Sequence, residues 1–174
     1  MNAEQARILV EQFAGLMESE VPTTCKVLAA VQTGDGDYKP DAKSRSAREL
    51  AAHMAVADNW FLQSIIDGKF DFDPVAGEKA ESQFKSADEI VAFYQKTVPD
   101  KLKQLRALPA DKLSREVDFF GMMKLPAVSF LGLANNHSIH HRGQLAAYLR
   151  PMGSKVPSIY GGSADEPMQA AAAS

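Results

Sequence analysis

Only one cysteine, Cys25, occurs in the 174 residues of this chain. No intramolecular disulfide can form, and one sulfur cannot build a thiolate-rich zinc site, so any metal ion must take nitrogen or oxygen ligands. Long apolar runs are also missing. Lys, Arg, Asp, Glu or Gln interrupts every stretch before it reaches the roughly 18 residues that a bilayer crossing needs, so no membrane span is expected. The opening MNAEQARILVEQF lacks the basic start and unbroken apolar stretch of a secretory signal, which makes cytoplasmic residence the expectation. Nor is there an excess of positive charge. Nineteen Lys and Arg stand against 22 Asp and Glu for a net charge of −3, and the basic residues do not gather into a block that could track a phosphate backbone, so nucleic acid is not an expected partner. The 45% hydrophobic share with 24% charge fits one globular domain and excludes both a disordered chain and a charge-rich coiled coil.

What is present is mostly helical periodicity. Ala6, Leu9, Val10, Phe13, Leu16 and Met17 recur at three- and four-residue steps, the mark of one buried helix face. Pro22 is expected to bend or restart this helix before Val27, Leu28 and Val31 continue it. Turn-forming residues over 33–44 then read as a loop. Ser46-Ala47-Arg48-Glu49 reads as a capping box opening a second helix through Leu50, Met54, Ala57, Phe61 and Ile65, with Asp67-Gly68 as its stop. A second box, Ser86-Ala87-Asp88-Glu89, opens a third helix, kinked at Pro99. The segment 69–85 between them carries Asp71 and Asp73 beside Phe70 and Phe72 but lacks the ligand spacing of an EF-hand, so it reads as a solvated loop. Residues 109–125 contain VDFFGMMKLP, where one short extended stretch fits. A fourth helix is predicted from Pro126 to Arg150. The expected architecture is an all-α four-helix bundle with long connections over residues 1–160, followed by a flexible tail over 161–174.

Three of the four histidines, His137, His140 and His141, lie in the fourth helix. His137 and His141 are one turn apart and share a face, with Cβ atoms about 5–6 Å apart. At about 100° per residue, Gln144 and Tyr148 fall in the same wedge, whereas His140 points roughly 60° from His137 and 100° from His141. The remaining His53, on the second helix, is available as a cross-helix ligand. Three neutral imidazoles with one or two positions left open make a catalytic type of metal site. Spacing alone also admits a second reading, in which these are packed or half-exposed polar residues. Other chemistries lack their residues. Ser138 stands where an HExxH helix places its glutamate, no G-x-S-x-G elbow occurs, and GDG at 34–36 lacks the strand and lysine of a phosphate loop. Glu49, one turn before His53, is a candidate to orient that ring, although its capping duty competes; Trp60 is a candidate pocket wall or core residue. Cys25, with no histidine near it in sequence, reads as a small buried residue rather than a nucleophile.

The histidine in SARELAAHMAVADNWFL, followed downstream by NNHSIHHRGQLAAYLRPMG, resembles the DinB/YfiT-like superfamily, and the likeness spans nearly the whole chain. The resemblance implies a four-helix bundle, commonly a homodimer, that binds one divalent ion, often nickel or zinc. Carried over position by position, it makes His53, His137 and His141 the metal ligands; Gln144 and Tyr148, from their place on the same helix face, are expected to face the open position as candidate catalytic residues. It further implies a metal-dependent transferase that joins a low-molecular-weight thiol such as bacillithiol, mycothiol or glutathione to an electrophilic small molecule. A metal-dependent hydrolase and a non-catalytic metal-binding module are the alternatives. The mycothiol-dependent isomerase branch carries a glutamate where this chain has His137. Histidine ligation predicts metal affinity that falls on acidification near the ordinary histidine pKa of about 6.5.

Overall fold

Asn2 and Ser46 begin the first two long helices by the same device: each side chain accepts from the backbone N–H three residues on, and Gln5 or Glu49 reaches back to the cap's own N–H. The computed structural model describes residues 1–168. Helix α1 runs over Ala3–Ala30 and α2 over Ala47–Asp67. Pro22 does not break α1, which continues through it; the side chain is exposed, so the carbonyl deprived of its N–H partner faces water. Gly68 ends α2 at φ +68°, a left-handed stop that suits glycine, and its missing Cβ leaves room for the Arg115 guanidinium, which donates to the Ile66 carbonyl at 3.1 Å.

The expectation of a loop over 69–85 is corrected. Helix α3 occupies Pro74–Ser82, with Asp73 accepting from Val75 N–H as its cap and Pro74 in the first turn. Its apolar content is too low for a periodic face and none of its residues is buried, which is why periodicity missed it. The third long helix, α4, spans Ala87–Ala107 through Pro99. Its capping box is half formed: Ser86 Oγ accepts from Glu89 N–H, but the Glu89 carboxylate accepts from Lys85 N–H instead. A short α5, Ala110–Ser114, leads into a hairpin of β1, Glu116–Phe119, and β2, Met123–Pro126, paired antiparallel from Glu116↔Pro126 to Phe119↔Met123. At its turn both Phe120 (φ +54°) and Gly121 (φ +73°) are left-handed; for the phenylalanine this costs about 1–2 kcal/mol.

The last long helix, α6, begins at Phe130 rather than Pro126 and ends at Leu149. Pro126 closes the hairpin, and Ala127 N–H donates to Arg115 O at 2.8 Å, so the backbone there belongs to the hairpin and to a short 3-10 turn over Ala127–Ser129. The fold is all-α apart from this hairpin. Helices α1 and α2 each pack against both α4 and α6, giving a four-helix bundle in which α1 and α2 sit diagonally. Leu28, Leu50, Met54, Leu62, Ile90, Leu102, Phe130 and Leu145 fill its axis at 0–1% exposure, with no polar atom to satisfy. Residues 161–168 are tied back: the Asp165 carboxylate accepts from Val156 N–H and Arg150, and Glu166 pairs with Lys26. The rest of the expected tail, 169–174, lies outside the described residues. Among the described residues no helix is long and apolar enough to cross a membrane.

Candidate metal centre

Because α2 and α6 are neighbours in the bundle, His53 meets the one-turn pair of α6. Ring centroids lie 5.4 Å apart for His53–His137, 4.9 Å for His53–His141 and 4.5 Å for His137–His141. One nitrogen from each ring lies within 4.8 Å of the others, so the three could hold one metal ion. His140 is exposed and outside this group, although its ring centroid is 4.9 Å from that of His141.

The second nitrogen of each ring decides what the first can do. His53 Nδ1 lies 2.8 Å from Glu81 Oε1; an ionised carboxylate only accepts, so Nδ1 carries the proton and Nε2 keeps its lone pair. His141 Nδ1 donates in the same sense to Gln144 Oε1 at 3.0 Å. His137 Nδ1 faces Asp58 Oδ1 at 3.7 Å, and both atoms are buried without a hydrogen-bond partner among the described residues. The facing carboxylate favours a proton on His137 Nδ1, at a separation too long for a direct hydrogen bond. With Nδ1 of His53 and His141 engaged by oxygens of α3 and α6 and that of His137 facing a carboxylate of α2, the other nitrogen of each ring is available to a shared ion. That donor set fits a divalent first-row transition ion, for which neutral imidazole is a good ligand, and does not fit magnesium or calcium, which take oxygen.

Burial sets the electrostatics. Desolvation pushes His141 down to about 4, with the neighbouring His137 and His53 adding to the shift and Gln144 opposing it. It also lowers His53, against the hydrogen bond to Glu81. The folded pKa of His141 therefore lies below its unfolded value of about 6.5. The neutral, ligating form is present above 6.5, and the stability tied to it is lost as pH falls from there through 4. In metal-free protein, imidazole nitrogen shifts followed by NMR are expected to show His141 protonating near pH 4; a midpoint near 6.5 would contradict the buried site. The acid loss of metal binding is accordingly expected below the window read from the sequence.

Asp58 is not a surface carboxylate. It is fully buried, and its Oδ2 accepts from Tyr94 Oη at 3.0 Å. Burial raises the Tyr94 hydroxyl well above its ordinary pKa, and its partners include Ser138 and Thr24 as well as Asp58. Thr24 Oγ1 in turn accepts from the buried Arg142 at 3.0 Å, and Arg142 pairs with Glu20 and donates to Tyr160. A polar chain thus crosses the bundle from His137 to Arg142. Asp58 had a sequence signal: it occupies the stripe of Leu50, Met54, Phe61 and Ile65, one charge on an otherwise apolar face. Glu81 has none, because α3 buries no residue and so shows no apolar periodicity.

Glu49 serves the cap and pairs with Lys39 rather than touching His53. Gln144 belongs to the site through His141 Nδ1, and Tyr148 Oη accepts from Gln144 Nε2 at 3.4 Å while its ring packs edge-on to Tyr38. Neither lines the adjoining cleft of about 1020 Å³, whose walls include His53, His137 and Trp60. Trp60 is a pocket wall, with its Nε1–H donated to Asp71 O at 2.9 Å. Cys25 is buried on α1, and burial raises its thiol pKa against a hydrogen bond from Gln95.

Residues 4–171, which include all three histidines, match the DinB family. The chain belongs to this family. It is 33% identical over 126 residues to the uncharacterized protein YjoA of Bacillus subtilis, over 71% of this chain and 77% of that one. The crystal structure of YjoA superposes with a TM-score of 0.66 at 27% identity, over 83% of this chain and 93% of that one. A DinB-like protein from Bacillus cereus matches with a TM-score of 0.71 at 26% identity, over 86% and 97% of the two chains. A mycothiol-dependent maleylpyruvate isomerase shares the fold at a TM-score of 0.53 and 15% identity, over 88% of this chain and 62% of that one; at that identity the likeness concerns the fold alone.

Proposed function

We propose that this DinB-family protein is a metal-dependent transferase that joins a low-molecular-weight thiol to an electrophilic small molecule, with His53, His137 and His141 holding one nickel or zinc ion. The observation that supports it is the convergence of one nitrogen from each of three imidazoles, two with Nδ1 hydrogen-bonded to oxygen and the third with Nδ1 facing Asp58, beside an open cleft. Bound there, the ion would supply Lewis acidity that favours the thiolate form of the cosubstrate at neutral pH.

The chain's own residues do the rest. Glu81 and Gln144 hold the His53 and His141 rings by their Nδ1 atoms, Asp58 presents a carboxylate to His137, Trp60 and Phe61 wall the cleft, and Tyr148 steadies Gln144. In the reaction the thiol gives up its proton to solvent, sulfur bonds to the electrophilic carbon as the bond from that carbon to the displaced group breaks, and the displaced group leaves with its electron pair and takes up a proton from solvent. Cys25 takes no part, since a buried thiol of raised pKa is a poor nucleophile. A hydrolase would need a free base aimed at water, whereas the carboxylates beside the histidines, Asp58 and Glu81, are both turned to Nδ1 atoms. Thiol use by the isomerase of similar fold belongs to that protein and prompts the choice of cosubstrates to test. A homodimer, expected from the family resemblance, is part of the same proposal and is read from the mass in light scattering.

The test is to incubate metal-loaded protein with a panel of electrophiles and with bacillithiol, mycothiol, glutathione or cysteine, and to measure conjugate formation over the uncatalysed rate. Metal-dependent acceleration with one thiol is expected, retained in Cys25→Ser. Turnover of an ester or amide without thiol, and no acceleration with any thiol, would replace this reading with the hydrolase.

A further inference from the structure

The cleft beside the histidines has an unusual wall. Trp60 stands at its centre, with ring centroids of Phe61, Phe70, Phe72 and Phe120 at 4.9, 5.6, 5.8 and 6.4 Å. Two of these rings do not serve the core: Phe72 is 55% and Phe120 48% exposed. They come from separate segments, Phe72 from the residues that precede α3 and Phe120 from the hairpin turn. Phe120 lies nearly parallel to Trp60, at an interplanar angle of 6°, and it does so from a left-handed backbone that glycine or asparagine would adopt far more cheaply. The turn is held in that state by Gly121 N–H donating to Asp118 Oδ2 at 2.9 Å. A bulky apolar residue kept strained and half in water is a cost that folding does not explain, and such costs gather where a ligand is gripped.

Charge narrows the ligand further. Five carboxylates line the cleft, those of Glu49, Asp71, Asp73, Glu78 and Glu81, against the single guanidinium of Arg45. Three of these carboxylates are paired, Glu49 with Lys39, Asp71 with Lys69 and Glu81 with Arg45, and the acid left over disfavours a negatively charged aromatic ring against Trp60. We infer that the cleft binds the body of an uncharged planar aromatic compound against the wall of Trp60, Phe72 and Phe120, with its far end at His53 and His137. This deepens the transferase reading, on which it rests for calling that compound the electrophile.

Trp60 is the only tryptophan of the chain, so its fluorescence reports on this cleft alone. Metal-free full-length protein is titrated with 4-nitroanisole, a neutral planar quencher, with its anionic counterpart 4-nitrobenzoate, and with cyclohexanol as a non-aromatic competitor. Saturable quenching by 4-nitroanisole is expected, weakened about three- to tenfold in Phe72→Ala and in Phe120→Ala, as the loss of one ring contact implies. Phe120→Leu, which keeps apolar bulk without the ring, is expected to fall with Phe120→Ala; circular dichroism checks that each variant is folded. Linear quenching that never saturates, equal affinity in the folded ring variants, displacement by cyclohexanol at equal concentration, or preference for 4-nitrobenzoate would each overturn the inference. Because no thiol or turnover enters the measurement, saturable binding without thiol transfer would sink the reaction and keep the pocket, and transfer without saturable binding would do the reverse.

Discussion

Replacing His53, His137 or His141 by alanine is expected to abolish stoichiometric binding of a divalent transition ion, with affinity falling more than about 100-fold in each case, beyond the 10- to 100-fold usual for losing a residue that only supports a ligand. Three ligands are few. Each supplies a nitrogen within 4.8 Å of the other two, and no cysteine or further histidine stands ready among the described residues to replace one. His140→Ala is the control, because that ring is exposed and outside the ligand group. Elemental analysis of protein purified without a nickel column, with calorimetric titration of Ni²⁺ and Zn²⁺ into the metal-free protein, gives the answer. Full occupancy in His53→Ala would remove the cross-helix ligand, and loss in His140→Ala equal to that in His141→Ala would remove the assignment on α6.

The second large effect is expected at Asp58, and its two readouts run in opposite directions. Asp58→Asn keeps the volume and the Tyr94 partner but removes the charge that faces His137 Nδ1. Metal affinity is expected to fall by about 10- to 100-fold, since the oxygen that orients a ligating histidine is worth that much. Metal-free protein, by contrast, is expected to unfold at the same temperature or higher. A fully buried carboxylate whose Oδ1 has no hydrogen-bond partner among the described residues is a burden on the folded state, and a neutral amide lightens it. Thermal unfolding in chelator alongside metal titration separates the two. A large loss of stability in the metal-free variant with unchanged metal affinity would make Asp58 a structural residue of the polar chain to Arg142 and nothing more.

These two predictions differ in how far the sequence alone could have led to them. The ends of α2, the start of α4 and the shared face of His137 and His141 follow from local rules: caps satisfy N–H groups a few residues away, and one helical turn fixes which side chains are neighbours. Every atom involved lies within about four positions of its partner, so the pattern is readable along the chain. Even α3 carried such a mark in Asp73-Pro74, a capping residue followed by a first-turn proline, which a search for apolar periodicity passes over.

The rest was decided by packing. That His53 meets His141 depends on α2 and α6 being neighbours in the bundle, which the burial of four apolar stripes determines together and no single stripe reveals. Glu81 reaches His53 across 28 positions and Asp58 faces His137 across the gap between helices. Phe120 reaches Trp60 only because the hairpin turn folds back over the cleft. By itself the sequence determined the four long helices and the kind of ligand α2 and α6 could present. Only the tertiary structure decided which oxygen holds which ring, because those partners are selected by distance in space, where burial makes an unpaired polar atom costly and a paired one specific.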